Sequence, residues 1–273
     1  MPELDPIAVE PITVPVHEHV VVEYAPPGWQ RQATNLERHQ DAPYRMRGTT
    51  TTYDSESFVV AATNQAPKST YFPIVYADEP QLAVTAVLNQ QQVTDDSTVV
   101  EGWGDLRVVL QLRRSPEWQA WLDGQGLHDQ EAFAEFIESR LDDIHDPAPA
   151  DLLDLAQTFS AHTSAQFGSA VRLDAGQVQL NYTERIEARA GSGSIDIPQE
   201  FTLAIRPFVG AEKCIAKARL RYRVAGGQLK IGYQLVRPDL VERTVFDDEC
   251  TKIAEALDTS IIRGSIAPVT AAS

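Results

Sequence analysis

The sequence predicts an α+β fold, antiparallel and β-rich, with a projecting hairpin, an extended N-terminal arm and acidic helices. Three observations predict it. Between Ile215 and Val224, apolar Ala216, Ala218, Leu220, Tyr222 and Val224 alternate strictly with Lys217, Arg219, Arg221 and Arg223. That period of two gives a strand one apolar and one cationic face. Beyond Ala225-Gly226-Gly227, whose glycines accept positive φ, Leu229, Ile231, Tyr233 and Leu235 alternate again, so the two runs form a hairpin. Third, apolar residues between Ser115 and Phe159 recur at three- and four-residue spacing, which is helical.

In chain order, Met1–Pro27 holds six prolines, which oppose a helix or a central strand and predict an extended arm with one edge strand at His19–Glu23. Val14, Val16, Val20, Val21 and Val22 would leave apolar surface in water, and so form a candidate assembly arm that a partner surface covers. His17 and His19 alternate there without a third ligand nearby, which favours a solvated pair over a metal site. Trp29–Thr52 is polar and aperiodic, and reads as a long loop. Asp54 or Ser55 caps a short helix through Phe58, Val59 and Ala62 that ends before Pro67.

Thr70–Tyr76, Leu82–Leu88 and Leu106–Leu112 read as strands, with Asn89–Gly104 as the polar tip of a projecting hairpin. Trp103, between two glycines, caps a core edge or, as the alternative, stacks on a ligand. Ser115-Pro116-Glu117 starts a helix with Trp118, Trp121 and Leu122 on one face. Gly124 and Gly126 then interrupt. Asp129 caps a second helix whose stripe is Phe133, Phe136, Ile137, Leu141 and Ile144, and after Pro147 and Pro149 a third carries Leu152, Leu153, Ala156 and Phe159 inward. Asp142, Asp143, His145 and Asp146 lack the ligand order of a calcium loop and read as a solvated helix end. Ala170–Leu173 and Val178–Ile186 form a further hairpin. Gly191-Ser192-Gly193-Ser194 is a loop without the remainder of a phosphate-binding motif. Phe201, Leu203 and Ile205 supply a strand, and Pro238-Asp239 opens a last helix with Phe246, Cys250, Ile253 and Leu257 on one stripe, ending near Asp258. The expected division is an arm and loop over 1–54, a single core over 55–258 and a tail over 259–273. The tail, rich in Ala, Thr and Ser, frays unless a neighbour holds it.

The charge distribution is uneven. The chain has formal net charge −16, yet Phe201–Pro238 holds eight Lys and Arg against one acid, Glu212, while Pro116–Ser160 holds eleven acids and one Arg. An acidic chain repels phosphate over most of its surface, which excludes a general polyanion binder and leaves a local patch. Lys217, Arg219, Arg221, Arg223 and Lys230 are that candidate contact face. Acidic protein surface, the chain's own or a neighbouring copy's, is the first partner and nucleic acid the second. Two cysteines without metal spacing point to a reducing cytoplasm. No apolar run reaches membrane-spanning length. No metalloprotease, hydrolase, nucleotide-binding or kinase signature appears, so no catalytic residue, cofactor or metal is expected.

Several stretches together carry a resemblance. Trp103-Gly104-Asp105-Leu106-Arg107, Ser115-Pro116-Glu117-Trp118 and Trp121-Leu122 are followed by Gln130 to Glu138, and the likeness continues through Ser169–Leu180, Ile197–Phe201, Leu220–Arg223 and Tyr233–Pro238. Over about residues 55–250 the chain resembles the YfdQ-like phage and prophage proteins. The resemblance implies a phage-encoded protein of unassigned function in the cytoplasm of an infected or lysogenic bacterial host, with no catalytic residues to carry over. The order of arm, projecting hairpin, helical region and β-rich part is also similar to the shell-forming protomer of tailed-phage capsids and encapsulins, which implies a homo-oligomer. The expected function is therefore a non-enzymatic structural protein that assembles with itself. The alternative is an accessory of phage DNA replication or recombination that binds single strands along the cationic strand. Such sites add stacking aromatics to their cations, and here Tyr222 points to the apolar face.

Overall fold

A computed structural model of the chain describes residues 12–17, 20–24, 33–35, 40–42, 45–67, 71–94, 96–167, 187–190, 193–196, 198–225 and 228–267. It divides into two compact units, Met1–Gly48 and Thr49–Ser273.

In the first unit, β1 (Ile12–His17), β2 (Val20–Tyr24) and β3 (Ala33–Asn35) form an antiparallel sheet in the order β1-β2-β3. This corrects the expected extended arm with a single edge strand. Pro15 sits in the edge strand β1, beside a register shift between Pro15 and His17, where a missing N–H breaks no interior ladder. Val20–Tyr24 has no proline and bonds on both sides, so the expected edge strand is the central one. Val14 lies opposite Val22; Val16 is on β1, and Val20 and Val21 are on β2. His17 closes β1, and His19 lies outside the described residues.

The second unit holds all but the first residue of β4 (Gly48–Thr52), then α1 (Ser55–Gln65), β5 (Tyr71–Asp78), β6 (Ala83–Val93), β7 (Val99–Glu101), β8 (Leu106–Gln111), α2 (Pro116–Asp123), β9 (Gly126–Asp129) and α3 (Gln130–Glu138). It continues with β10 (Ile144–Asp146), α4 (Pro149–Phe167), β11 (Glu187–Ala190), β12 (Gly193–Asp196), β13 (Glu200–Ile205), β14 (Cys214–Ala225), β15 (Gln228–Leu235), α5 (Pro238–Leu257) and β16 (Ile261–Arg263). The mixture of helix and antiparallel strand is the expected α+β class.

Two cores share this unit. In the first, the sheet β16-β5-β6-β8-β4 turns Val75, Val84, Ala86, Val108 and Leu110 toward α1 and α5. Asp54 caps α1 by accepting from Ser57 N at 2.7 Å. Ala66, held extended by the following proline, ends it. Phe58 and Ala62 of α1 meet Phe246, Cys250 and Ile253 of α5, which recur at four and three residues and so share a stripe. Between the helices, the buried Glu249 carboxylate accepts from the Ser55 hydroxyl and from Lys252 Nζ. The expected C-terminal tail is corrected. It contains β16, which pairs parallel with β5, and beyond it the Ile266 and Ala267 carbonyls accept from the buried Arg107 guanidinium. The stretch read as a loop before Thr52 likewise yields β3 and β4.

The projecting hairpin is present: β6 runs on past the sheet to pair with β7, and Thr94 N donates to Thr98 O across the tip. Gly102 is required where the chain returns, because a Cβ there would lie 2.2 Å from Asn89 O. Gly102 N and Gly104 N both donate to β6, to Gln90 O and Asn89 O. The intervening Trp103 is 53% exposed, which corrects the core-capping expectation.

The second core joins the sheet β10-β13-β14-β15-β9 to α2, α3 and α4. Trp118, Trp121, Phe133, Ile137, Leu152 and Ala156 bury against it. Ser115 caps α2 by accepting from Trp118 N at 3.0 Å. The expected helical stripe through Leu141 and Ile144 is corrected: α3 stops at Glu138, a 3-10 turn spans Leu141–Asp143, and Ile144 is buried because β10 pairs it with Leu203. The hairpin expected from Ala170 to Ile186 and the side chain of Phe159 lie outside the described residues. β11 and β12 pair antiparallel on either side of Gly191 and Ser192.

The connection from β13 to β14 leaves the second core and buries Phe208 and Ala211 in the first. Its backbone bonds to the β8–α2 link, with Ser115 N donating to Pro207 O and Val209 N to Arg113 O, both at 2.9 Å. Glu242 of α5 completes the joint. It accepts from Arg114 Nε at 2.6 Å and Arg114 Nη2 at 3.0 Å, and from Trp118 Nε1 at 2.8 Å. Removing this acceptor leaves an indole N–H of a buried tryptophan unpaired. Glu242→Ala should therefore lower unfolding free energy by about 1–3 kcal/mol, read from the denaturant midpoint by tryptophan fluorescence. An unchanged midpoint would show that the joint contributes nothing.

Candidate functional site: the cationic sheet face

The face is built by the pleat of β14. Ala216, Ala218 and Leu220 point inward and are buried, and Tyr222 is packed against the same core. Lys217, Arg219, Arg221 and Arg223 point outward and are exposed. β14 is antiparallel to both neighbours, β13 and β15. Arg223 lies directly across from Lys230, so Lys230 joins the same face. At about 3.4 Å per residue the row from Lys217 to Arg223 runs about 20 Å. Ile215, Leu127 of β9 and Gln234 of β15 are exposed as well.

The close approach of β9 to β15 depends on Gly232. A Cβ there would meet Gly126 O at 1.7 Å, so any side chain would push β9 away from the sheet. Gly124 and Gly126, expected only to interrupt the helices, instead lead into β9, whose pairing of Gly126–Asp129 with Lys230–Tyr233 widens the face by one strand. The glycine at 232, inside an otherwise alternating strand, was the available signal.

Inside, the aromatic side chains are fully used. Trp121 packs edge-on against Phe136 and Tyr233, each with ring centroids 5.0 Å away, and Phe201 lies 6.0 Å away. Tyr233 Oη donates to Trp121 O at 2.7 Å, and burial pushes its hydroxyl pKa up. Trp121 Nε1 donates to Asp143 Oδ2 at 2.9 Å, which gives one of the crowded acids a structural partner. His145 and Asp146 are exposed on β10. Tyr222, Tyr233 and Phe201 therefore lie on the helix side of the sheet and present no ring on its cationic side.

The five candidate cations come together on one face, and three have local partners. Glu200, across from Arg219 on β13, accepts from its Nε at 2.8 Å, and this bond holds the Glu200 carboxyl below its ordinary range. Asp129, across from Lys230, pairs with it at 3.2 Å. Arg221 Nη2 donates to Gln234 Oε1 at 2.6 Å. Exposed pairs of this kind are screened and contribute little to stability. Lys217 and Arg223 make no ion pair among the described residues. Arg223 directly opposite Lys230 is unfavourable across an antiparallel pair, so the bare face carries excess positive potential. An anionic surface laid on it would relieve that repulsion.

Among the described residues, no group of three or more His, Cys, Asp or Glu side chains could hold a metal ion, and no helix is long and apolar enough to cross a membrane. Cys214 opens β14 half-buried, and Cys250 is buried on α5. Burial pushes the Cys250 thiol up to about 11, against a weaker opposing effect of Arg263. At pH 8 almost none is thiolate, so an alkylating reagent should modify Cys250 about tenfold or more slowly than an exposed free cysteine. Mass spectrometry of the labelled native protein measures this, and rapid complete labelling of Cys250 would contradict its burial.

No curated protein and no solved structure matches the chain. Residues 13–266 match a family described as an uncharacterized conserved protein (DUF2303). That match takes in both the three-stranded sheet and the two-core unit that carries the cationic face, and the chain belongs to this family.

Proposed function

We propose that the chain is a non-enzymatic structural protein that associates with copies of itself through the outer face of the β10-β13-β14-β15-β9 sheet. A phage-encoded, capsid-like or encapsulin-like shell is the kind of assembly that such contacts would build. The observation that carries the reading is the split across β14: every outward position from 217 to 223 is cationic and exposed, in a chain of net charge −16. The acidic protein surface that would satisfy such a cationic face is supplied in quantity by the chain itself.

Single-stranded nucleic acid is the second reading. The row of cations favours it, and the inward placement of Tyr222, Tyr233 and Phe201 opposes it, since none of these three rings is offered to a base on the cationic side. Reversing two charges separates the readings. Arg219→Glu with Arg221→Glu should leave the far-ultraviolet circular dichroism unchanged, because exposed charges add little to stability. Self-association in light scattering should weaken by about tenfold or more, because like charges at a contact cost several kcal/mol. A variant that associates as the wild type does, and loses only binding to a labelled oligonucleotide, would overturn the self-association reading in favour of the nucleic-acid one.

A further inference from the structure

The second core is a two-layer sandwich with opposite charge on its two outer sides. α3 lies on the inner side of the sheet with Phe133 and Ile137 buried. Glu131, Glu135 and Glu138 recur at four and seven residues, which puts them on one stripe of α3, facing away from that buried pair. All three are exposed, as are Asp151 and Asp154 on α4, which packs beside α3. Among the described residues none of these five carboxylates is in an ion pair. The cationic row lies on the far side of the sheet. A full layer of helices, about 10 Å thick, and the sheet itself separate the two surfaces, which is beyond the screening length of about 8 Å at physiological salt. Within one chain the surfaces can neither meet nor relieve each other.

We infer that the cationic sheet face of one copy docks on the acidic α3–α4 surface of the next, so that copies join head to tail. This rests on the self-association reading and adds the partner surface and the symmetry to it. A two-fold contact through the sheet face would set Arg221 and Arg223 of one copy against the same residues of the other, and like charge at a contact is strongly unfavourable. The complementary surfaces are different patches on the same chain, so the contact is heterologous. Each copy then offers one unused surface of each sign, and growth continues until the rotation closes a ring or shell, or runs on as a filament.

Charge exchange tests it. A sheet variant, Arg221→Glu with Arg223→Glu, and a helix variant, Glu131→Lys with Glu135→Lys and Glu138→Lys, each place like charge on both surfaces, and each alone should remain at the 30.2 kDa of one chain. Mixed in equal amounts they present opposite charge at every contact, and large species should return. About 0.5 M salt should disperse those species, since the screening length falls to about 4 Å, roughly half its physiological value. Circular dichroism checks that each variant folds, and Glu135→Gln with Glu138→Gln replaces the helix variant if it does not. With the glutamine pair, association should fall by severalfold without recovery on mixing. If the helix variants associate as the wild type does while the sheet variant does not, self-association stands and the acidic α3–α4 partner is wrong. If the wild type itself is a monomer at low salt, the self-association reading falls, and this inference with it.

Discussion

The pleat alternation of β14 is the constraint on which the second core depends. Its inward residues meet Trp121, Phe133 and Leu152 from three helices, and its outward residues carry the charge. Side-chain direction in a strand has a period of two, so a slip of one residue would drive Lys217, Arg219, Arg221 and Arg223 into that apolar layer. Burying unpaired cations costs far more than any exposed pairing on the other face returns. Register in β13 and β15 is fixed by the same requirement, because Phe201, Leu203, Ile231 and Tyr233 must fall on the side where the helices lie.

The charge asymmetry follows from that register and from the helices on its inner side. Helices that cover one face of a sheet show their polar stripe to solvent, and here the stripe is acidic. The uncovered sheet face shows the opposite sign. Neither surface needs its charge to fold: exposed pairs such as Arg219 with Glu200 are weak, and the aromatic cluster around Trp121 supplies the packing. Charge that folding does not need is available for recognition.

The joint between the two cores works by a different device. Two short segments far apart in sequence, 113–115 and 207–209, bond to each other through backbone, and Glu242 draws Arg114 and Trp118 onto α5. Polar groups at a junction must be paired once water is excluded, and that pairing ties the orientation of α2 to that of α5. The Arg107 guanidinium does the same for the C-terminal segment, whose carbonyls it takes at 159 and 160 residues' separation.

Local pattern sufficed for much of this. Period-two runs gave β13, β14 and β15, with the cationic face and its inward Tyr222, and caps at Asp54 and Ser115 marked α1 and α2. Such features depend on a few adjacent residues, and the sequence by itself determined them. What it did not determine were elements whose existence depends on a distant partner. β9 and β10 are four and three residues long and form only because β15 and β13 offer open edges. β16 is a strand because β5 has a free side, and β1 and β3 flank β2, which the sequence marks as no more than an edge strand. Short edge strands gain most of their stability from pairing rather than propensity, so only the tertiary structure decided them. It also decided that the acidic helices and the basic sheet lie back to back in one sandwich, because layer order is set by which faces are apolar and not by where the charges fall in the chain.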